Sequence, residues 1–362
     1  MNQDVTVIIP VHNRFNLLQN VVESILAQTV PVTEIILVDD GSTDHGPEMV
    51  ERYIQDRPRW RARVRYYYQE NQGQSVANNV GIAKANGEWL AFDGADDLWL
   101  PWKLEWQFKA LDKYGDRCGL CYTDAWFMNN PHMKKTVFQL AGAEYGESVG
   151  MIGEPARLIA GRHPIWLQTV VAKAELVHEI GGFDAALRYS EDHDILFRAA
   201  LKTDFCFVNL PLVLIDRSPS ETRHVGASRD WHKEEFRLRM DQRRFETQQR
   251  LGRELPADVQ VSIRRNLRDI HSAWANWHLA AGDHDKMREA ISAAAQQGVT
   301  PAIAFKWLLM HLSPKAARGV LSIRNINDAP RYDQLSWTAG EGTDSKRGRP
   351  ASISQEQPAR TR

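Results

Sequence analysis

Three pairs of neighbouring acidic residues are the parts of this sequence best suited to chemistry. They are Asp39-Asp40, Asp96-Asp97 and Glu191-Asp192. Carboxylates can accept hydrogen bonds from a base or a ribose, hold a hard divalent cation, or act as a general base. The sequence therefore holds the groups for acid–base chemistry on a polar ligand, provided that the fold brings the three pairs together.

Two of the pairs stand at the ends of predicted strands. Short β-branched runs alternate with segments whose apolar residues recur every three or four positions, which predicts a mainly parallel α/β sheet. The predicted strands are 5–9, 34–38, 64–68 and 89–92. Asn13 is expected to cap the first helix. Ligands of such sheets bind at the carboxyl ends of strands, so the polar residues that follow these strands are expected to line one crevice.

The second half of the chain predicts a different organisation. Helices are expected over 101–111 and 173–180 and from Ser190 onward, and two further strands over 205–208 and 212–215. Beyond about residue 230 the sequence is helical and polar, with a hairpin around 282–285. The predicted units are a main domain over 1–225, a helical appendage over 226–335 and a disordered tail over 336–362, where Gly, Ser, Gln, Arg and Pro are frequent.

Composition narrows the class of protein. Lys and Arg total 45 against 46 Asp and Glu, a net charge of −1, which argues against nucleic acid as a partner. No apolar run reaches the roughly 20 residues of a membrane-spanning helix. The three cysteines do not suggest a disulfide framework, and Cys118 and Cys121 fit a core strand. The start of the chain does not resemble a signal peptide, so we expect a cytoplasmic protein.

One apolar helix in the appendage has two interpretations. Residues 304–312 are apolar, and basic residues follow them at Lys315, Arg318 and Arg324. Such a helix can lie at the inner face of an anionic membrane. It can equally pack against the main domain.

Five blocks of this sequence resemble the family 2 glycosyltransferases, whose fold is called GT-A. The resemblance covers roughly residues 4 to 217. The blocks are Val7-Ile-Ile-Pro-Val-His-Asn13, Ile36-Leu-Val-Asp-Asp-Gly-Ser-Thr-Asp44, Asn71 to Gly81, Gly87 to Phe92 with Asp96-Asp97, and Gly181-Gly-Phe-Asp184 with Glu191-Asp192. Their order and spacing make the resemblance specific. It implies a GT-A (Rossmann-like) domain that moves a sugar from a nucleotide-sugar donor, a UDP-sugar by default, to an acceptor hydroxyl with inversion.

The resemblance also implies a role for individual residues. Asp40, helped by Asp39 and the backbone of Pro10 and Val11, would hold the base and ribose, and Asn13 would lie beside them. Asp192 would be the general base and Glu191 would position the acceptor, a saccharide or a lipid-linked saccharide of cell-surface polysaccharide or glycolipid assembly. From the residues alone, Asp40 could instead be part of a turn, and Asp192 could be a helix cap.

The sequence departs from the family pattern at two places that would handle the diphosphate. The family usually has Asp-x-Asp-Asp where this chain has Gly94-Ala-Asp-Asp97, so Mn²⁺ or Mg²⁺ would be held by Asp96, with Asp93 and His224 as further candidates. Asp96 would also contact the donor. Many relatives have Arg at the position of Asn78, which can donate a hydrogen bond but adds no charge.

Other classes fit less well. A nucleotidyltransferase would want a Gly-rich basic loop near the N-terminus, and a dehydrogenase would need Gly-x-Gly-x-x-Gly after the first strand. Neither is present in the sequence. A non-catalytic sugar-nucleotide-binding protein with a decayed metal motif stays open because of Gly94 and Asn78.

Overall fold

The computed structural model describes residues 3–44, 46–129, 134–160, 164–216, 234–251 and 255–317. Within these ranges the strands are β1 Val5–Val11, β2 Glu34–Asp40, β3 Val64–Gln69, β4 Trp89–Phe92, β5 Leu98–Trp99, β6 Cys118–Met128, β7 Val149–Ile152, β8 Val170–Lys173 and β9 Asp204–Asp216. The helices are α1 Phe15–Leu26, α2 Gly46–Asp56, α3 Pro58–Arg63, α4 Gln74–Lys84, α5 Lys103–Tyr114, α6 Val137–Ala141, α7 Ala156–Ala160, α8 Ala174–Glu179, α9 Glu191–Ala200, α10 Glu234–Leu251, α11 Ala257–Ala281, α12 His284–Gln296 and α13 Pro301–Leu312.

All these strands join one sheet of order β3-β2-β1-β4-β8-β6-β9-β5, with β7 paired to β9. The first four strands are parallel, as the alternation of strand and helix predicts. The other half is mixed, since β8 runs antiparallel to β4 and β6, whereas β9 runs parallel to β6. Helices flank this sheet, which is the expected α/β class.

The sheet has a topological switch point between β1 and β4. Helix α1 leads from β1 to β2, whereas α4 leads from β3 past β2 and β1 to β4. Right-handed crossovers in opposite directions put the two helices on opposite faces. Burial agrees, because Ile36 and Val38 pack with Ala77 of α4, while Ile35 and Leu37 belong to the main core that contains α1. A ligand crevice is therefore expected at the carboxyl ends of β1 and β4.

The turn after β1 differs from the prediction. Asn13 has a positive φ of 54° and does not cap α1; the capping position belongs to Arg14, which makes no side-chain capping bond. The side-chain oxygen Oδ1 of Asn13 accepts hydrogen bonds from the backbone N–H groups of Thr43 and Asp44 instead. Asn tolerates the left-handed conformation better than most residues, and this lets its side chain tie the first loop to the second.

The predicted strands over 205–208 and 212–215 form the single strand β9. Register shifts against β6 lie beside Asp124 and absorb the irregularity around Pro211. The cysteines meet here: Cys121 pairs in register with Cys206, and all three thiols are buried, as expected for core residues. Helix α5 begins at Lys103 rather than at Pro101, which lies in the preceding turn.

The C-terminal helices pack on the main domain. In α11, Ser262 and Asn266 both donate hydrogen bonds to the carbonyl of Ala160 at the end of α7. The predicted hairpin joins α11 to α12 at Gly282, whose φ of 81° suits glycine. Helix α13 leaves large apolar side chains exposed, among them Phe305, Leu308 and Leu312. Among the helices described, none combines the length and apolar character needed to cross a bilayer.

Candidate functional site

Asp39 is buried at the carboxyl end of β2 and both of its carboxylate oxygens are engaged. One accepts a hydrogen bond from the backbone N–H of Ser42 at 2.8 Å, and the other from the Tyr66 hydroxyl at 2.6 Å. Burial and this carboxylate raise the pKa of Tyr66, so the phenol keeps its proton. Asp39 therefore fixes the shape of the loop that follows β2.

Asp40 connects β2 to the start of α4. One oxygen accepts hydrogen bonds from the Gln69 amide at 2.7 Å and the Gln72 backbone N–H at 2.8 Å. The other accepts from the Gly73 backbone N–H at 2.8 Å. Gly73 has a φ of 93°, which lets the chain turn sharply into the helix. The Asp40 carboxylate thus sets where the N-terminus of α4 lies at the crevice, and sequence reasoning missed its partners Gln69 and Gln72.

The end of β1 closes around the same loop. Pro10 and Val11 pair in register with Val38 and Asp39, and Val11 is buried. The next residue, His12, lies 2.8 Å through Nδ1 from the Asp40 carbonyl oxygen. The structure therefore brings the predicted nucleotide residues at the ends of β1 and β2 together.

Asn78 faces the same edge from α4. A Cβ on Gly81 would come 2.3 Å from Cγ2 of Ile8, so this face of the helix lies directly on β1. Asn78 is one turn nearer the carboxyl end of β1 and is fully buried. Its amide oxygen and nitrogen have no hydrogen-bond partner in the described part of the chain. A buried amide without partners is costly, and a polar ligand in the crevice would relieve that cost.

Asp96 and Asp97, at the end of the segment that follows β4, lie in different surroundings. Asp97 accepts hydrogen bonds from the Asp216 backbone N–H at 2.9 Å and the Gln168 amide at 2.7 Å, so it ties the segment to β9 and to the turn before β8. Asp96 lies nearer the surface, and one of its oxygens is 3.3 Å from Nη1 of Arg14. Asp96 is thus the motif carboxylate that meets the loop after β1.

Asp93 is buried on the inner side of this segment. Burial, and then the nearby Asp97 carboxylate, raise the pKa of Asp93, while Lys103 opposes the rise. Lys103 is fully buried too, and burial lowers its pKa to about 7. Its Nζ lies 3.6 Å from the centre of the Trp99 ring and bonds the Gln107 amide oxygen at 3.1 Å. Asp93 therefore belongs to a buried cluster of ionisable side chains, a role that its sequence context did not indicate.

The residues of this edge do not complete a metal site. No three His, Cys, Asp or Glu side chains of the described ranges are grouped so that they could hold a metal ion. Both oxygens of Asp97 are taken by protein donors, and Asp93 is buried beside Lys103. His224 lies outside the described residues. Asp96 is then the one carboxylate of this motif left to hold a cation, and a dedicated divalent-cation site has more protein ligands than one.

Glu191 and Asp192 form the first turn of α9. Ser190 before them has a φ of 58°, and its hydroxyl donates to Asp241 of α10 at 3.2 Å. Burial, and then the Asp192 charge, raise the pKa of Glu191 to about 8, so Glu191 is protonated at neutral pH. A carboxyl group with a raised pKa beside a second carboxyl group is a candidate for acid–base chemistry.

The loop before α9 is fastened to α4. The Asn79 side chain donates to the Phe183 carbonyl and accepts from the Phe183 N–H, both at 2.8 Å. The Ser75 hydroxyl donates to the Leu187 carbonyl at 2.6 Å. These bonds run from the start of α4, which Asp40 positions, to the start of α9. The acidic pair of α9 is therefore anchored to the edge of the sheet that carries the other candidate residues.

Comparison with known proteins agrees with this architecture. The glycosyl transferase family 2 model matches residues 6–154. An uncharacterized glycosyltransferase of Rickettsia felis is 40% identical over 109 residues, which cover 30% of this chain and 17% of the relative. Another, of Rickettsia conorii, is 31% identical over 205 residues, which cover 54% of this chain and 31% of the relative. The chain therefore spans less than a third of the length of either relative.

Solved structures show the same fold. TarS of S. aureus superposes with a TM-score of 0.60 at 18% identity, covering 89% of this chain and 54% of that chain. The mannosyltransferase PcManGT of Pyrobaculum calidifontis, in complex with GDP-Man and Mn²⁺, superposes with a TM-score of 0.54 at 22% identity, covering 88% of this chain and 83% of that chain. The protein thus contains an α/β domain of the GT-A class. Within it, residues 6–154 are similar to glycosyl transferase family 2.

Proposed function

We propose that the protein transfers a glycosyl group from a nucleoside-diphosphate sugar to an acceptor hydroxyl, with inversion at the sugar carbon. The observation that carries this proposal is the anchoring of the Glu191-Asp192 turn to α4 by Ser75 and Asn79. It supports a candidate general base on the α4 side of the crevice at the switch point of the sheet. The similarity of residues 6–154 to glycosyl transferase family 2 supports the type of reaction.

The proposed reaction is a single displacement. Asp192 removes the proton from the acceptor hydroxyl. The oxygen of that hydroxyl attacks the anomeric carbon from the face opposite the leaving group. The bond from that carbon to the diphosphate oxygen breaks, and the nucleoside diphosphate leaves with the electron pair. Glu191, protonated at neutral pH, positions the acceptor by hydrogen bonding. In the structure one oxygen of Asp192 accepts a hydrogen bond from the backbone N–H of His193 at 2.8 Å, and the N-cap position of α9 is Ser190.

The proposed donor site is the edge formed by the ends of β1, β2 and β4. Pro10, Val11 and Asn13 contribute from the first loop, and Asp39 and Asp40 organise the surface for base and ribose. Asn78 and Asp96 are assigned to the diphosphate region. A UDP-sugar is the proposed donor. TarS residues 1–349 were solved in complex with UDP-GlcNAc, in a structure with a TM-score of 0.51, whereas PcManGT was solved in complex with GDP-Man. GDP-sugars are therefore tested together with UDP-sugars.

No step is assigned to a divalent cation. PcManGT was solved with Mn²⁺, and this chain offers Asp96 as the carboxylate toward such an ion. Asp93 is left out of the proposed ligands because it is buried beside Lys103. His224 keeps the role that the sequence predicts, as a proposal. The requirement for Mn²⁺ or Mg²⁺ is measured directly in the assay below.

The proposed acceptor is a saccharide or a lipid-linked saccharide of cell-surface polysaccharide or glycolipid assembly, handled in the cytoplasm. Helix α13 supports a lipid-linked form. Phe305, Leu308 and Leu312 are 55%, 51% and 75% exposed and follow one another at helical spacing. Such a face can enter the interface of a membrane, where the acceptor would be presented.

The test is a screen of UDP-, GDP- and dTDP-sugars for transfer and hydrolysis, with and without Mn²⁺ and Mg²⁺. The wild type is compared with Asp192→Asn and with the control Asp116→Asn, whose side chain is 99% exposed and pairs with Lys173. We expect one donor to be consumed, with loss of transfer in the first variant alone. Nucleotide binding without turnover of any donor would favour the non-catalytic sugar-nucleotide-binding protein.

A further inference from the structure

Arg14 and Asp96 face each other across the switch point of the sheet. Arg14 follows β1 and Asp96 follows β4, the two strands between which the crossovers change direction. The guanidinium Nη1 lies 3.3 Å from a carboxylate oxygen of Asp96. The side chains are 15% and 24% exposed, so the pair is shielded but reachable from the crevice. A cation is thus built into the place where the ligand of such a sheet binds.

Two other positions of the described crevice, Asn78 and Gly94, add no charge for a diphosphate. Asn78 is buried and neutral. Gly94 has no side chain, and a Cβ there would lie 2.9 Å from an Asp97 oxygen and 3.0 Å from an Asp96 oxygen. A carboxylate at position 94 would therefore crowd the two that are present. Among the described residues no group of three metal-ligating side chains is present, whereas Arg14 supplies a permanent positive charge.

We propose that Arg14 binds the diphosphate of the donor and of the leaving nucleoside diphosphate, and that Asp96 holds the guanidinium in place before the donor arrives. This inference rests on the proposed function and names the group that neutralises its leaving group. A guanidinium is planar and can donate to two phosphate oxygens at once. Its partial burial strengthens that attraction relative to bulk water.

A purely structural role for Arg14 predicts a different result. If the ion pair only joined the two loops, its loss would weaken binding of every nucleotide to the same degree or would lower stability alone. A diphosphate ligand instead separates nucleoside diphosphates from monophosphates, because the monophosphates do not extend to the second phosphate. The ratio of the two affinities is therefore the informative quantity.

The experiment is calorimetric titration of UDP and UMP, and of GDP and GMP, in EDTA and in Mn²⁺. It uses the wild type, Arg14→Gln, Arg14→Lys and Asp96→Asn. The control is Arg57→Gln, whose guanidinium pairs with Glu23 away from the crevice. In EDTA we expect the wild type to prefer the diphosphate by about tenfold or more, as charged hydrogen bonds can provide. Arg14→Gln should reduce that preference to about twofold, Arg14→Lys should retain part of it, and the control should retain all of it.

Two outcomes overturn the proposal for Arg14 alone. If the wild type prefers diphosphates only in Mn²⁺ and Asp96→Asn abolishes that preference, a metal ion carries the charge and Arg14 does not, while the proposed transferase stands. If Arg14→Gln keeps the preference in EDTA, Arg14 is structural. Absence of any nucleotide binding by the wild type would remove the proposed function as well, so the two failures are distinguishable.

Discussion

The Ser75 hydroxyl donates a 2.6 Å hydrogen bond to the carbonyl of Leu187, 112 residues further along the chain. Ser75 is in the first turn of α4, whose start is held by the Asp40 carboxylate. Leu187 precedes the turn that carries Glu191 and Asp192. This one bond therefore joins the proposed donor side of the crevice to the proposed acceptor side.

Ser75→Ala should uncouple the two sides. The buried Leu187 carbonyl would lose its partner, at a cost of about 1–3 kcal/mol of stability. We expect kcat to fall about tenfold with little change in UDP affinity, because Asp40 still holds α4. Steady-state kinetics and urea unfolding measure the two effects. The matched control is Ser262→Ala, which removes a similar bond to Ala160 far from the crevice. An equal loss of kcat in that variant would contradict the coupling.

Glu191 should impose an alkaline limit on activity. Its pKa of about 8 means that it ionises beside Asp192 as pH rises through that value, and the acceptor then meets two negative charges. We expect kcat to decline above about pH 8 in the wild type and to stay level in Glu191→Gln, which cannot ionise. A pH profile of transfer over pH 6–9.5 tests this, and identical alkaline limbs would contradict it.

The same residue should shape stability. Between the unfolded pKa of 4.5 and the folded value of about 8, the folded state retains a proton that the unfolded state has lost. The folded state is therefore favoured at the acidic end, and stability falls as pH rises through this window. Urea midpoints measured at several pH values should fall less steeply with rising pH in Glu191→Gln than in the wild type. A slope unchanged by the substitution would mean that other groups dominate.

Asp93 and Lys103 should behave as one unit. Lys103→Met removes the group that opposes the rise in the Asp93 pKa and leaves the buried Gln107 amide oxygen without its donor, which should cost about 1–3 kcal/mol. The double variant Asp93→Leu with Lys103→Met removes both buried ionisable groups and should regain most of that loss. A double-mutant cycle by urea unfolding measures the coupling. Additive costs would show that the residues are independent, and a specific loss of Mn²⁺ binding in Asp93→Leu would restore Asp93 to the metal ligands.

The exposed face of α13 should govern membrane contact. Substituting Phe305, Leu308 and Leu312 by Ser removes apolar area that the protein itself does not bury, so folding should be unaffected. We expect co-sedimentation with anionic phospholipid vesicles to fall about tenfold, since apolar burial contributes much of such binding. Val261→Ser, which changes another exposed apolar residue in α11, is the control. Equal vesicle binding by the triple variant would contradict the proposal.

The sequence determined the parallel strands and the residues at their ends. Buried β-branched runs such as those of β1 and β2 have one stable arrangement, in which both faces are covered by helices. The polar residues at the ends of these runs must then share one edge of the sheet. Local spacing also predicted the α11–α12 hairpin, since a glycine with a positive φ ends the first helix at Gly282.

Only the tertiary structure decided which polar side chains are available at that edge. Asp39, Asp97 and Asp93 look alike in the sequence, yet the first two accept a protein hydrogen bond at each carboxylate oxygen and the third is buried near Lys103. The pairing of Arg14 with Asp96 joins residues 82 positions apart. A carboxylate's role depends on burial and on donors that arrive from distant segments, and short-range periodicity carries no information about either.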